Sequence, residues 1–239
     1  FTIVPKGQDL LTASAIIYVD ADATTGSNNG ACWDDAYTEL QPALDAADAG
    51  DQIWVAEGTY LPTYRASQQD PRTATFQLKE GVGIYGGFDP SVGDYSWQDR
   101  DWVGNPAILS GDIGNQGEFA DNSYHVFYHP PKLTLGESAV LDGFTVTGGN
   151  SDADSAPNNA GGGMHNDSSS PTVANCTFSG NSAYSAGEVL TGDGGGMYNI
   201  SSSPVVTNCT FLGNSAFFGG GMHNDSSSPA VVNSTFSGN

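Results

Sequence analysis

Three closely similar segments occupy most of the last third of the sequence: GGGMHNDSSSPTVANCTFSGN at 161–181, GGGMYNISSSPVVTNCTFLGN at 194–214 and GGGMHNDSSSPAVVNSTFSGN at 219–239. Their first residues are 33 and 25 positions apart, so the 21-residue unit is constant and only the connection between units changes in length. Repetition with a period of about 20 to 50 residues is typical of a stacked solenoid.

Each unit has the same order of apolar and amide residues, which predicts short strands separated by sharp corners. The Cys and the Phe are two positions apart and share one face of a strand, whereas the Val three positions before the Cys requires a corner near the intervening Asn. No unit carries a helical stripe of apolar residues. A coil of parallel strands, a β-helix, fits this pattern, with equivalent side chains of neighbouring rungs stacked about 4.8 Å apart. The predicted ladder positions are Val173, Val206 and Val231; Asn175, Asn208 and Asn233; Phe178, Phe211 and Phe236; and Asn181, Asn214 and Asn239.

The repeated Gly-Gly-Gly-Met-(His/Tyr)-Asn and Phe-x-x-Asn signals resemble the repeats of the chlamydial polymorphic outer membrane proteins. The resemblance covers residues 161–239. The earlier stretch GDQIWVAEGTY at 50–60 resembles the opening strand of secreted β-helix proteins. These resemblances imply a right-handed helix and a location outside the cell or on its surface.

The sequence predicts one continuous all-β domain, a right-handed parallel β-helix, with three regions. Residues 1–50 form a cap with a strand and a short helix around Ala43 and Leu44, residues 51–160 form irregular rungs with long loops, and residues 161–239 form regular rungs. No capping element follows the last repeat. We therefore expect either further repeats or self-association with like chains through this rung, because an uncovered rung offers unpaired strand edges.

The charge of the chain excludes some classes of partner. The formal net charge is −21, and all six Lys and Arg residues lie before residue 133. Nucleic-acid binding needs a basic surface and is not expected. No apolar run is long enough for a transmembrane helix.

Two oxygen-rich loops are candidate Ca²⁺ sites, because Ca²⁺ prefers carboxylate and amide oxygens. The first comprises Asp112, Asn115, Glu118 and Asp121, and the second Asn150, Asp152 and Asp154. The same residue types also build ordinary surface turns. No cofactor is required by the pattern. His165, Tyr198 and His223 occupy one repeat position and are expected to form an aromatic stack rather than a metal site.

The cysteine and asparagine positions of the repeat have chemical consequences. Cys176 and Cys209 are expected to be stacked thiols that face the core, with a disulfide as the alternative. Asn-x-Ser/Thr sequons begin at two of the three Asn positions of every unit, those of Asn166 and Asn175. We expect Asn175 and its equivalents to point inward, so that Asn166 and its equivalents are the candidate glycan acceptors.

The most consistent function is that of a secreted or cell-surface structural or adhesive protein, a rigid rod that presents loops or assembles with like chains. One alternative is a carbohydrate-active enzyme, a polysaccharide lyase or a glycoside hydrolase, which needs convergent carboxylates or basic residues in a groove. No motif brings such residues together, and no catalytic residue is assigned. A second alternative is a non-catalytic module that binds surface glycans on Tyr64, Trp97 or Trp102.

Overall fold

The computed structural model describes residues 14–92, 96–184 and 192–239, and these ranges consist mainly of short strands. The irregular part contains β1 (Ile16–Val19), β2 (Gln52–Ala56), β3 (Gly58–Tyr60), β4 (Gly83–Phe88), β5 (Ala107–Ser110), β6 (Phe127–His129), β7 (Val140–Asp142) and β8 (Phe144–Thr147). The repeats contain β9 (Met164–Asp167), β10 (Thr172–Ala174), β11 (Thr177–Ser179), β12 (Ser182–Ala183), β13 (Met197–Ile200), β14 (Val205–Thr207), β15 (Thr210–Leu212), β16 (Ser215–Ala216), β17 (Met222–Asp225), β18 (Ala230–Val232) and β19 (Thr235–Ser237). The α-helix is α1 (Leu40–Ala46), and short 3-10 helices lie at Trp33–Asp35, Pro71–Thr73, Pro90–Val92, Trp97–Asp99 and Phe119–Asp121.

The strands stack into three long parallel sheets, and each repeat contributes one strand to each sheet. The sheet orders are β1-β2-β4-β7-β10-β14-β18, β3-β5-β8-β11-β15-β19 and β6-β9-β13-β17, with a short additional pair β12-β16. Every pairing between these strands is parallel. Consecutive turns of the chain therefore lie on top of one another, and the predicted parallel β-helix is confirmed.

Equivalent apolar side chains form continuous ladders inside the coil, as the repeat spacing predicts. The ring of Phe211 stacks between Phe178 and Phe236, with ring centroids 4.9 and 4.6 Å away and planes within 7° of parallel. Val173 pairs with Leu141 of the preceding rung and with Val206 of the next. The irregular and regular rungs therefore share one core.

Two ladders of asparagine side chains run beside the apolar core. In the predicted ladder, Nδ2 of Asn181 donates to Oδ1 of Asn214 (3.0 Å), and Nδ2 of Asn214 donates to Oδ1 of Asn239 (2.9 Å). A second ladder links Asn166 to Asn199 at 2.8 Å and Asn199 onward to Asn224 of β17, also at 2.8 Å. Asn166 and Asn199 have no exposed surface. Stacked amides satisfy one another where water does not reach.

The predicted direction of the corner asparagines is wrong. Asn175, Asn208 and Asn233 have φ of 51°, 55° and 50°, which confirms a sharp corner in the left-handed region. At this corner the side chain points outward: Asn175 is half-buried and Asn208 and Asn233 are exposed. Nδ2 of Asn208 lies 3.3 Å from Oδ1 of Asn175, so this ladder runs along the surface. The expected glycan acceptors at Asn166 and Asn199 are instead enclosed by the inner amide ladder.

The cap is formed by α1 together with the first strands of the largest sheet. Ala43 and Leu44 of the helix are buried in the core, as predicted, and Leu40 is buried beside them. Gly50 follows the helix with φ of +102°, a backbone angle that suits glycine. The first 13 residues of the predicted cap lie outside the described residues.

Cys176 and Cys209 are stacked thiols, in agreement with the core interpretation. Both side chains are 1% exposed, and their sulfurs lie 3.1 Å from Ala174 O and 3.3 Å from Thr207 O respectively. Burial raises the pKa of the Cys176 thiol, so this group stays protonated and unreactive at neutral pH.

Candidate functional site

An apolar cleft of about 490 Å³ lies between two loops of the irregular rungs. One wall comes from residues 61–74 and the other from residues 113–121. Leu61, Pro62 and Ile113 supply apolar surface, and the guanidinium-bearing Arg65 lies at the same cleft. The charged residues at the cleft are Arg65, Asp70, Arg72 and Asp121. A concave, largely apolar surface with a few convergent polar groups has the character of a small-ligand site.

Arg72 fixes the two walls of this cleft relative to each other. Its guanidinium donates to the carbonyls of Asn122 (2.7 Å) and Asn150 (2.8 Å) and forms an ion pair with Asp152 (2.7 Å). It also lies 4.2 Å from the centre of the Tyr124 ring. Through these contacts Arg72 holds the loops together. The carboxylate of Asp152, which belongs to the second predicted Ca²⁺ group, is therefore paired with Arg72.

The three aromatic residues predicted to bind glycans do not form one platform. Trp97 and Trp102 both pack against Arg100, whose guanidinium is 4.8 and 5.2 Å from their ring centres. Arg100 is in turn bound to Gly86 O and Asp142 Oδ1, so the two tryptophans pack around a structural ion pair. Tyr64 lines a different depression, beside Lys79 and Leu133. Each of these aromatic side chains keeps about two fifths of its surface exposed.

An acidic pocket of about 320 Å³ lies at the capped end of the coil and was not predicted from the sequence. It is lined by Asp20, Asp22, Asp34, Glu57 and Asp89. Burial, reinforced by the carboxylates of Asp22 and Asp89, raises the pKa of Asp20, although a hydrogen bond from the Asp22 N–H opposes the rise. Pairs of carboxyl groups in unequal environments are what acid–base chemistry on glycosides requires.

The first predicted Ca²⁺ group lies within one loop. Asp112 accepts a hydrogen bond from the Gly117 N–H (2.9 Å), and Asp121 accepts one from the Asn115 N–H (2.7 Å). The Asn115 amide donates to Glu118 at 3.1 Å on the exposed side of the loop. Among the described residues, no cluster of three or more His, Cys, Asp or Glu side chains has a metal-binding arrangement.

The histidines form part of a buried aromatic column, as predicted for this repeat position. His165 lies edge-on to Tyr198 with ring centroids 5.0 Å apart, and His223 lies edge-on to the other side of Tyr198 at 5.7 Å. Burial lowers the pKa of His165 to about 4, so it is neutral at physiological pH. Nδ1 of His223 lies 2.8 Å from Oδ1 of Asp193, a side-chain contact between two neighbouring rungs.

Comparison with known proteins supports the same architecture. The family model described as "Right handed beta helix region" matches residues 132–239. The chain is a right-handed parallel β-helix. A solved structure, "Crystal structure of pectate lyase Pel9A", is 16% identical with a TM-score of 0.48, and the alignment covers 95% of this chain and 47% of that chain. The chain thus spans about half the length of that pectate lyase. No curated protein matches the chain.

The β-helix match is general and does not distinguish one repeat family from another. The narrower resemblance to chlamydial repeats therefore stays a prediction. No helix within the described residues is long and apolar enough to cross a membrane.

Proposed function

We propose that this β-helix is a structural protein of the cell exterior, a rigid scaffold whose irregular rungs present loops for contact with surface glycans. The observation that carries the proposal is the continuity of the polar ladders. Asn166, Asn199 and their stacked equivalents bond only to one another or to the coil. The repeated amide side chains therefore join each rung to the next inside the coil.

The serine residues after the corner extend this argument. The Ser169 N–H donates to Ser202 Oγ at 3.0 Å, and the Ser202 N–H donates to Ser227 Oγ at 2.9 Å. Each hydroxyl therefore satisfies a backbone group of the preceding rung. Since a solenoid is stabilised by interfaces between neighbouring repeats, such ladders favour a stiff rod.

The basic residues support the same conclusion. A lyase acting on uronates needs a cationic group to neutralise the substrate carboxylate and a base to remove a proton. Arg72 and Arg100 are bound to backbone carbonyls and carboxylates, and Lys79 Nζ is bound to the carbonyl of Ala47. These three cations are thereby committed to holding loops.

The apolar cleft beside Arg65 is the proposed contact surface for glycans. Its apolar walls suit the hydrophobic face of a sugar ring, and the Arg65 guanidinium suits an acidic or hydroxyl substituent. The test is binding of the purified chain to immobilised neutral and uronate-containing polysaccharides. We expect Arg65→Ala to weaken binding about tenfold, whereas Lys132→Ala, the matched control outside the cleft, leaves it unchanged. Equal binding by both variants, or no binding by the native chain, contradicts the proposed contact surface.

The acidic pocket favours a second candidate function, hydrolysis of a glycoside. The raised pKa of Asp20 beside four other carboxylates is the specific observation. If this function holds, the chain releases new reducing ends from a polysaccharide, and Asp20→Asn abolishes the release. Asp225→Asn, which removes an exposed carboxylate of β17 at the other end of the coil, then leaves the rate unchanged.

A further inference from the structure

A backbone hydrogen bond joins the two ends of the loop of residues 111–122, and two carboxylates accept hydrogen bonds from its backbone. The Ser123 N–H donates to Gly111 O at 2.8 Å, which joins the two ends of the loop. Inside it, Oδ2 of Asp112 is held by the Gly117 N–H at 2.9 Å, and Oδ2 of Asp121 by the Asn115 N–H at 2.7 Å. One oxygen of each carboxylate is therefore fixed by the backbone of the same loop.

The other oxygen of each carboxylate has no donor. Oδ1 of Asp112 and Oδ1 of Asp121 are closed to solvent and make no hydrogen bond with the described residues. The Asp121 carboxylate fills the space beside Gly114, where an added Cβ would collide with it. Burying a carboxylate oxygen without a partner is costly. Two such oxygens within one small loop indicate that the loop is built for a positive charge.

Asn122 provides an independent indication of the same kind. Its side chain is 3% exposed, and its Oδ1 is also closed to solvent without a donor. Its Nδ2 donates to Gly148 O at 2.7 Å, and a Cβ on Gly148 would lie 3.3 Å from the backbone N of Asp112. Because Asn122 directly precedes Ser123, whose N–H closes the loop on Gly111 O, the carboxamide lies at the base of the loop. With Nδ2 occupied on Gly148, its oxygen remains as an acceptor.

We propose that the loop of residues 111–122 binds one Ca²⁺ ion through the Oδ1 atoms of Asp112, Asp121 and Asn122. Carboxylate and amide oxygens are hard ligands, which favours Ca²⁺ over a softer metal such as Zn²⁺. Two carboxylates balance the charge of a divalent cation. Because Asp121 also lines the apolar cleft, the ion would fix one wall of that cleft. The inference does not depend on the proposed function.

The test is a titration of the whole, chelator-treated chain with CaCl₂ by isothermal calorimetry, combined with thermal unfolding. We expect one saturable site and a melting temperature that rises with CaCl₂ concentration, because a ligand of the native state stabilises it by mass action. The same concentration of MgCl₂ should give a smaller rise. Absence of saturable binding at millimolar CaCl₂ overturns the proposal.

Three variants locate the site. We expect Asp112→Asn and Asp121→Asn each to weaken Ca²⁺ binding about tenfold or more. Asp101→Asn is the matched control, because its carboxylate also caps a loop, at Val103 N (3.1 Å) and Gly104 N (2.9 Å), but lies outside the site. With chelator, neither site variant should lose more melting temperature than the control, because each removes a charge whose Oδ1 is buried without a partner, while the Asn oxygen can still accept the backbone N–H. Binding that persists in both site variants, that disappears equally in Asp101→Asn, or a larger loss of melting temperature with chelator overturns the proposal.

Discussion

Asn214 shows how one side chain joins three rungs of the coil. Its Oδ1 accepts from the N–H of Asn181 (3.1 Å), and its Nδ2 donates both to Phe178 O (2.9 Å) and to Asn239 Oδ1 (2.9 Å). The side chain is 1% exposed, so water does not replace these partners when it is removed. A buried group that loses its partner costs more free energy than the hydrogen bond contributed.

We predict that Asn214→Ala lowers the free energy of unfolding by about 3 kcal/mol, because the buried backbone N–H and side-chain amide of Asn181 lose their acceptor. Asn208→Gly is the matched control, since Asn208 is exposed with φ of 55° and glycine accepts that angle. The control should change stability by no more than about 0.5 kcal/mol. Guanidinium denaturation of the three proteins provides the measurement, and equal losses in both variants would show that the amide ladder has no special role.

At the residue scale, the repeat spacing identifies which positions form ladders but not which way the corner side chain points. Asn175 and Asn166 look alike in the sequence, since each recurs in every unit and opens a sequon. The difference comes from the backbone: φ of 51° at Asn175 turns its side chain outward, whereas Asn166 lies within a strand and is enclosed. A repeated sequon therefore does not identify a glycan acceptor.

At the scale of one element, the glycine triplets mark where neighbouring rungs approach most closely. Only the first glycine of the triplet 194–196 needs a left-handed angle, with φ of +64° at Gly194. At Gly196 the constraint is space, because an added Cβ would lie 2.5 Å from Gly221 O and 2.9 Å from the Phe211 ring. The triplet thus allows both the turn and the packing of the next rung.

We predict that Gly196→Ala lowers the free energy of unfolding by about 3 kcal/mol, because the next rung and the phenylalanine stack must move apart. Gly213→Ala is the control, since φ is +59° there but nothing lies within 4 Å of an added Cβ. Its cost should be about 1 kcal/mol, from the left-handed backbone angle alone. Chemical denaturation compares the two variants. A Gly196 variant as stable as the Gly213 variant would show that the contact between rungs is loose.

At this scale the regular strands were predictable and the irregular ones only in part. Val and Phe recur at fixed spacing in residues 161–239, so the strands and their partners follow from the period. In the irregular rungs the loops differ in length, and no repeated position indicates which loops meet. The acidic pocket depends on those loops, because it is lined both by Asp20, which follows β1, and by Asp89, which follows β4.

Across the whole molecule, buried neutral histidines make stability depend on pH. Burial lowers the pKa of His125 to about 3 and that of His129 to about 4. The Nε2 atom of His129 lies 3.1 Å from the Leu78 N–H and its Nδ1 lies 2.6 Å from Asn166 Oδ1. This arrangement fixes a neutral ring with its proton on Nδ1, and a second proton on Nε2 would break the bond from Leu78.

We predict that the free energy of unfolding decreases as the pH falls from about 6.5, the ordinary histidine pKa, toward about 4, the pKa of His129 in the folded chain. The unfolded chain binds a proton in this range that the folded chain excludes, so stability is retained above the range and lost within it. Each such histidine contributes a slope of up to about 1.4 kcal/mol per pH unit. Denaturation of wild type and His129→Gln across the range measures the slope, which should be shallower in the variant. An unchanged slope would show that His129 does not take part.

The last rung of the described chain leaves apolar side chains exposed. The strands β17, β18 and β19 are the terminal strands of their sheets in the described chain, and Val231 and Phe236 are 41% and 47% exposed. Self-association through this rung stays a prediction. Sequence alone predicts the parallel coil, its ladders and the oxygen-rich loop of residues 112–121, whereas the apolar cleft and the acidic pocket depend on how distant segments fold together.

The most direct test of the proposed scaffold role is a search for turnover by the purified chain. Neutral and uronate-containing polysaccharides would be incubated with it, with and without Ca²⁺, and assayed for new reducing ends and unsaturated products. A scaffold that binds without cleaving predicts no product above that of a heat-denatured control under either condition. Product formation that is lost in Asp20→Asn would contradict the scaffold role and make the acidic pocket the active site.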